Sequence, residues 1–338
     1  MEQAFFGGSG CPAFQKLTPD SILEQVETAL GVSCTNLCRS YASYVNRVFE
    51  LEERTGRGLV VKFYRPGRWS VQALRDEHEF LAELAAEEIP VVAPLRLRDG
   101  STLGQCDGLC FAVFPKAGGR CVDELDGAQW LALGRLLGRM HMVGARRAAQ
   151  DRIRLHPDAS TTAQVAFIRD SGLVPDDLID TYLDLCAELI ETIRPAFSAT
   201  ETIRIQGDCH GGNLIRRPDT PFVLIDFDDM AMGPPVQDFW MLLPGPLAES
   251  GEEVELLIEG YSMFRSFDRR SLSLIEPLRA MRFIHYSAWC AHQWLDDGQT
   301  NAVSDFATRS YWEGEINDLR DQLERIRAAT GCEAPVPF

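Results

Sequence analysis

Gln206-Gly207-Asp208-Cys209-His210-Gly211-Gly212-Asn213 is followed by Phe222-Val223-Leu224-Ile225-Asp226-Phe227-Asp228-Asp229, then by Gly233-Pro234-Pro235 and Gln237-Asp238-Phe239-Trp240. Residues 203–205 form a short β-prone run, and Gly207 lets the chain turn sharply behind it. Asp208 then lies on a tight loop whose glycines, Gly211 and Gly212, admit a ligand close to the backbone. Asn213 offers a neutral oxygen suited to a hard cation. Residues 222–225 are an uninterrupted apolar run, the pattern of a buried strand. Asp226 at its end is costly to bury unless paired or metal-bound. Either aspartate alone reads equally well as a turn residue or helix cap. Together the set is suited to phosphoryl transfer, which needs a carboxylate to orient the attacking hydroxyl and oxygen ligands to hold magnesium against phosphates. Asp208 is the expected catalytic base, and Asn213 and Asp226 are the expected magnesium ligands. Asp228 and Asp229 are further candidates, with Asp228 alternatively a cap. His210 reads as a structural or acceptor-contacting neighbour, because the base position is already filled.

Around this stretch the 338-residue chain has the apolar and charged content of an ordinary globular protein, 45% and 25%. Its formal net charge of −17 argues against nucleic-acid and anionic-membrane partners, which require basic surface. Arg65, Arg68 and Arg75 are the one candidate basic patch. The opening Met1-Glu2-Gln3 lacks the basic-then-apolar pattern of a leader, and no apolar run approaches the ~20 residues of a membrane span. The expectation is a cytoplasmic protein. The ten cysteines are scattered through core-like segments and read as reduced and buried. Zinc binding at Cys34/Cys38 or Cys106/Cys110 is the alternative, though neither spacing is that of a short knuckle.

Residues up to about Phe14 look loose. Thr18-Pro19-Asp20 opens a helix through about Leu30, with Thr18 as cap and Pro19 in the first turn. Residues 45–50 and 58–64 read as strands of a hairpin, 69–86 as an amphipathic helix and 109–114 as a further strand. Residues 116–119, Lys-Ala-Gly-Gly, form a candidate hinge. Beyond residue 128 the chain reads as mainly helical. The expected fold is α+β and two-lobed: residues 1–115 make a nucleotide-binding lobe of antiparallel sheet plus helix, and residues 116–338 a mainly helical catalytic lobe. Lys62 lies between Val60, Val61 and Phe63 and needs an anionic partner. On the helix, Leu74, Glu77, Leu81 and Leu84 share one stripe, whereas Glu79 lies with Arg75, Ala82 and Glu83. This selects Glu77 over Glu79 as the partner, the alternative being that Glu77 flanks the stripe and reaches water. His141, with Trp130, Leu133 and Leu137, reads as a core histidine. Arg279 and Arg282, three apart on a late helix, could meet an acidic or phosphorylated acceptor, but a structural role, holding the acidic body of the protein together, is favoured.

The motif resembles those of kinase-like phosphotransferases, a group that includes aminoglycoside phosphotransferases, choline kinases and homoserine kinases. With Val60-Val61-Lys62-Phe63-Tyr64-Arg65-Pro66, Phe111-Ala112-Val113-Phe114-Pro115, Gly138-Arg139-Met140-His141 and Ile275-Glu276-Pro277-Leu278-Arg279-Ala280-Met281-Arg282, the chain is most similar to the bacterial stress response kinase A family. The shared motifs run in order across roughly residues 17–312. The resemblance implies a protein-kinase-like fold and ATP- and magnesium-dependent transfer to serine or threonine on protein, the chain itself included, by a monomer. It implies catalytic roles for Asp208 and Asp226, ATP contacts at Ser43, Lys62 and Glu77, with Lys62 on the α/β-phosphates, and metal ligation by Asn213 and Asp226. Asp238 would brace the catalytic loop. The family pattern has a histidine where this chain has Gln206, which keeps hydrogen-bonding capacity but not the imidazole's shape or charge. Activity is expected to survive this change. A small-molecule phosphotransferase uses the same residues and is the alternative; a pseudokinase is the third reading.

Overall fold

The computed structural model describes residues 12–43, 45–121, 124–217, 222–297 and 303–331. Most of the segment expected to be loose lies outside these residues, and Pro12–Lys16 is a short 3-10 helix. Helix α1 (Pro19–Leu30) begins as its sequence dictates: the Thr18 hydroxyl accepts from the Ser21 N–H, and Pro19 occupies the first turn. It packs Ile22 and Val26 beneath an antiparallel five-stranded sheet. The strands are β1 (Cys34–Tyr41), β2 (Arg47–Glu53), β3 (Gly58–Phe63), β4 (Gly104–Cys106) and β5 (Leu109–Pro115), in the order β1-β2-β3-β5-β4. The hairpin β2–β3 and strand β5 match the expected pattern. Strand β1 does not, and the reason is visible in its burial. It is an edge strand, mostly exposed along its length and bulged between Cys34 and Cys38, so it carries no apolar alternation to betray it.

Helix α2 (Val71–Ala86) is capped by the Ser70 hydroxyl and buries Leu74, Glu77, Leu81 and Leu84, the predicted stripe. Among the described residues, two large apolar cores and two small clusters result. One lies under the sheet and includes Phe49, Val61, Phe63 and Phe111. The other begins with Phe80, Leu81 and Leu84 of α2 and extends through the helices to Ile326. Helix α2 therefore contributes its C-terminal half to the larger core, and Leu74 nearer its start packs in a small cluster with Tyr64 and Ala112.

The larger core is built on α3 (Gly127–Gly144), α4 (Thr162–Ser171), α5 (Asp176–Phe197), the short α6 (Gln237–Trp240), α7 (Gly251–Ser262), α8 (Ile275–Asp297) and α9 (Arg309–Gly331). Helices α3 and α7 cross closely because Gly134 and Gly260 carry no side chain: a Cβ at either would stand 2.2 or 2.1 Å from a carbonyl oxygen of the other helix. Short strands interrupt the helices: β6 (Arg120–Cys121), β7 (Ile203–Ile205), β8 (Leu214–Arg216), β9 (Val223–Leu224) and β10 (Ala231–Gly233). Their pairing positions the site. The chain enters one loop from β7 and leaves through β8. It enters a second loop from β9 and leaves through β10. Antiparallel pairing of β8 with β9 and of β7 with β10 sets the two loops side by side. Among the described residues no helix is long and apolar enough to cross a membrane.

Candidate active site

Asp208 and Asp226 head the two adjacent loops, and Gln206 joins them. The Gln206 Nε2 donates to the carbonyl of Asp226 at 2.6 Å and to that of Ile225 at 3.3 Å, while its Oε1 accepts from the Asp208 N–H at 2.8 Å. One fully buried amide thus uses its donor and its acceptor to hold both aspartates in register. Asp238 completes the brace from α6. Its carboxylate accepts from the backbone N–H groups of Gln206 and Gly207, both at 2.8 Å. The buried His141 bridges Asp238 and Tyr261, at 3.1 Å each, the core role read for it. Gln237, which sequence reasoning passed over, donates to the carbonyl of Gly207 at 3.0 Å. Gly207 itself has φ of +87°, and a Cβ there would lie 2.2 Å from the carbonyl oxygen of Asp229. No other residue type fits this turn without displacing the second loop.

At the front of the site the carboxylate of Asp208 meets two side chains. Arg282 Nη1 is 3.1 Å from Oδ1, and His210 Nε2 is 3.4 Å from Oδ2. His210 Nδ1 accepts from the Gly212 N–H, so a neutral imidazole carries its proton on the nitrogen facing Asp208. Burial would raise the Asp208 carboxyl, but the His210 hydrogen bond and the Arg282 charge outweigh it and hold the group below the ordinary aspartate range. The same contacts that favour the carboxylate form weaken it as a proton acceptor while they last. The Arg282 contact is half exposed, with 43% of the arginine side chain accessible; such pairs contribute about 0–1 kcal/mol. Arg279 lies over the Trp240 ring and pairs with Glu276, as the favoured structural role has it, and Arg282 also pairs within the protein, with Asp208 at the front of the site. Both are read from one helix face, but only the tertiary packing of α8 shows which of them reaches the loop.

Asn213 Nδ2 donates to the Asp208 carbonyl at 3.0 Å, which leaves the amide oxygen as the group available to a cation. Asp226 has φ of +52°, a left-handed conformation that costs a residue with a Cβ roughly 1–2 kcal/mol. The bond from Gln206 to its carbonyl holds it there. Its side chain is 54% exposed and paired with Lys62, so the cost of burying an unpaired carboxylate at the strand end is not incurred. The turned backbone lifts Asp226 out of the interior, and Asp228 takes the buried place. An amide oxygen and a half-exposed carboxylate form the small, hard donor set that magnesium uses alongside phosphate oxygens.

Behind the loops lies a buried charge cluster. Lys62 Nζ is 3.0 Å from Asp226 Oδ1 and 3.1 Å from Asp228 Oδ1. Burial alone would lower the lysine, yet Asp226, Asp228 and Glu77 more than offset it and hold the ammonium well above its usual range. Glu77 is 1% exposed, as the stripe predicts, and Glu79 is 59% exposed and paired with Arg147. The expected direct Lys62–Glu77 pair is nevertheless not the one formed. Glu77 Oε2 binds Arg152 Nη2 at 2.7 Å, and Glu77 acts on Lys62 only through its charge. Arg152 arrives from the segment after α3, stacks on Trp69 at 4.3 Å and donates to the Asp228 carbonyl at 3.0 Å. No local pattern in the sequence marks it. Arg68 reaches Asp229 at 2.6 Å and Asp228 at 3.3 Å. Asp228 is thus an ion-pair centre and not a cap; burial would raise it, but Lys62, Arg68 and Arg152 hold it well below the usual range. The suggested basic patch dissolves accordingly: Arg65 is buried against Asp296, Arg68 enters the cluster, and Arg75 faces a separate hollow with Arg96. Ser43 is half-buried in the connection from β1 to β2, beside Tyr44, which lies outside the described residues. Lys116, in the hinge segment, ties back to the sheet through Glu50 at 2.5 Å.

Comparison with known proteins adds three findings. The model of the phosphotransferase enzyme family matches residues 38–275. Stress response kinase A of Escherichia coli strain K12 is 37% identical over 315 residues, covering 93% of this chain and 95% of that protein. Serine/threonine protein kinase RdoA of Salmonella typhimurium strain LT2 is 36% identical, with 92% and 94% covered. Among solved structures, amicoumacin kinase hAmiN in complex with AMP-PNP, Ca2+ and Ami matches with a TM-score of 0.73 at 18% identity, covering 92% and 94% of the two chains. The microcompartment-associated aminopropanol kinase matches with a TM-score of 0.64 at 20% identity, covering 91% and 98%. At these identities the structures establish the fold.

Proposed function

The chain belongs to the phosphotransferase enzyme family, and from that premise we propose that it is an ATP- and magnesium-dependent serine/threonine protein kinase of the stress response kinase A type. The observation that carries the choice of acceptor is the likeness to that kinase across 93% of the chain. Asp208 accepts the proton of the acceptor hydroxyl as its oxygen bonds to the γ-phosphorus. The bond from that phosphorus to the β–γ bridging oxygen breaks, and ADP leaves. Lys62 holds the α/β-phosphates, with Asp228 and Glu77 keeping the ammonium charged and Arg152 holding Glu77. Ser43 contacts the phosphates from the β1–β2 connection. Asn213 and Asp226 hold magnesium, which neutralises phosphate charge when bound. Gln206 serves in place of the family histidine by bonding both loops at once, which supports the catalytic over the pseudokinase reading. Residues 1–115 act as the nucleotide lobe and 116–338 as the catalytic lobe of a monomer in the cytoplasm, where ATP is supplied.

The amicoumacin and aminopropanol kinases favour a second reading, transfer to a small alcohol. The two are separated by following γ-labelled phosphate from magnesium-ATP with wild type and Asp208→Ala. The acceptors are the protein alone, a generic protein, and a panel of amino alcohols. Label on protein that disappears in Asp208→Ala supports the kinase. Label confined to a metabolite replaces it with the second reading, and nucleotide binding without transfer in the wild type overturns both.

A further inference from the structure

Arg282 and His210 are the two side chains at the Asp208 carboxylate, and the proposed chemistry assigns Arg282, the permanent cation of the pair, no task. It projects from α8 with Nη1 3.1 Å from Asp208 Oδ1, one of the two oxygens of the proposed base, and among the described residues it also approaches the Met241 sulfur at 3.7 Å. Arg279, one turn earlier, is turned onto Trp240 and Glu276. Of the two arginines, only Arg282 reaches Asp208. Its pair with Asp208 is a single nitrogen–oxygen approach in a half-exposed setting, which leaves most of the guanidinium fork unused. A carboxylate or phosphate beside the acceptor would offer two oxygens to that fork in matching geometry, a stronger arrangement than the contact it replaces. A chain of net charge −17 repels acidic segments as a whole, so a cation at this point steers them to the site selectively.

We propose that Arg282 reads the acceptor: an oxyanion flanking the acceptor hydroxyl draws Arg282 off Asp208, so the enzyme favours serine or threonine set in acidic or already phosphorylated segments. This rests on the protein-kinase reading and names its substrate class. Arg282 is then a specificity residue that also uncovers the base for the correct acceptor.

The test compares wild type, Arg282→Gln and Arg282→Lys on three peptides that differ only beside the acceptor serine, carrying glutamine, glutamate or phosphoserine. The same peptides with alanine for the acceptor serine measure binding by calorimetry without turnover. Equal melting temperatures verify that the variants fold. Wild type is expected to show a KM about tenfold lower for the anionic peptides, a preference lost in Arg282→Gln and partly kept in Arg282→Lys. The ratio of glutamate to phosphoserine distinguishes the two oxyanions. Equal use of all three peptides by wild type, or a preference that survives in Arg282→Gln, overturns the proposal and leaves the kinase reading intact. Arg282-dependent binding of the anionic alanine peptides with no phosphorylation would keep the oxyanion subsite and sink the kinase reading. Neither binding nor transfer overturns both.

Discussion

The front and the back of this site are both crowded with charge, but they are built on opposite principles. At the front, Asp208, Asp226 and Arg282 are part-exposed, meet each charged partner through one nitrogen–oxygen approach, and include a residue in a left-handed conformation. At the back, Glu77, Arg152 and Asp228 are buried and tied to one another through side chains and backbone. An exposed pair can exchange partners at little cost. A buried pair cannot lose one partner without stranding the other charge. On the proposed reading, the difference gives the chemistry to the front and the geometry of the sheet-to-loop junction to the back.

The strongest way to break this division is Asp208→Asn. Turnover should fall about 10²–10⁴-fold, the usual worth of a positioned acid–base group, with nucleotide affinity and melting temperature unchanged. A matching loss of stability would move Asp208 into the scaffold. Arg152→Met probes the back. It leaves Glu77 buried and uncompensated, and stability to urea should drop by about 3–5 kcal/mol. Adding Glu77→Leu should recover part of that loss; a still less stable double variant would refute the pairing as the cause. Gln206 joins the two regions. Gln206→Ala strands the Asp208 N–H and the Asp226 carbonyl and should cost about 1–3 kcal/mol, with a fall in rate, whereas Gln206→His should preserve or raise the rate. Kinetics and urea melts of both variants check this.

The last prediction is one of pH. His78, on α2 behind the cluster, is 3% exposed and bonded to Tyr64 at 2.9 Å and Thr102 at 2.8 Å. Burial, with the charges of Lys62 and Arg152, pushes it down to about 3 from 6.5. The folded state therefore resists protonation that the unfolded chain accepts. The contribution is complete above 6.5 and is lost progressively as pH falls towards 3. By about pH 5 the loss should reach roughly 2 kcal/mol. Urea melts of wild type and His78→Gln across this window check it: the variant should show the shallower slope, and parallel curves would exclude His78 as the source.

What could be read in the chain was what neighbouring residues decide. Thr18 capping α1, the Leu74-Glu77-Leu81-Leu84 face, the hairpin and the Asp208–Asn213 loop all express contacts within a few residues, and all appear in the structure. Strand β1 was hidden because its exposed edge carries no periodicity. The direction in which Glu77 points was legible, but its partner was not. Periodicity states which face a side chain occupies and says nothing of what another segment brings to that face.

By itself, then, the sequence determined the α+β architecture, the elements that carry the site and the residue types available for phosphoryl transfer. The tertiary structure alone decided how the charges were shared. Arg152 took Glu77, Asp228 replaced Asp226 as the buried carboxylate, Arg68 entered the cluster and Arg282 came to rest on Asp208. The physical reason is range. Caps, turns and periodic faces are settled by steric and hydrogen-bonding rules along the backbone. The partner and the worth of an ion pair depend on burial and on which distant segment arrives beside it, and folding the two loops and α2 against one another creates both.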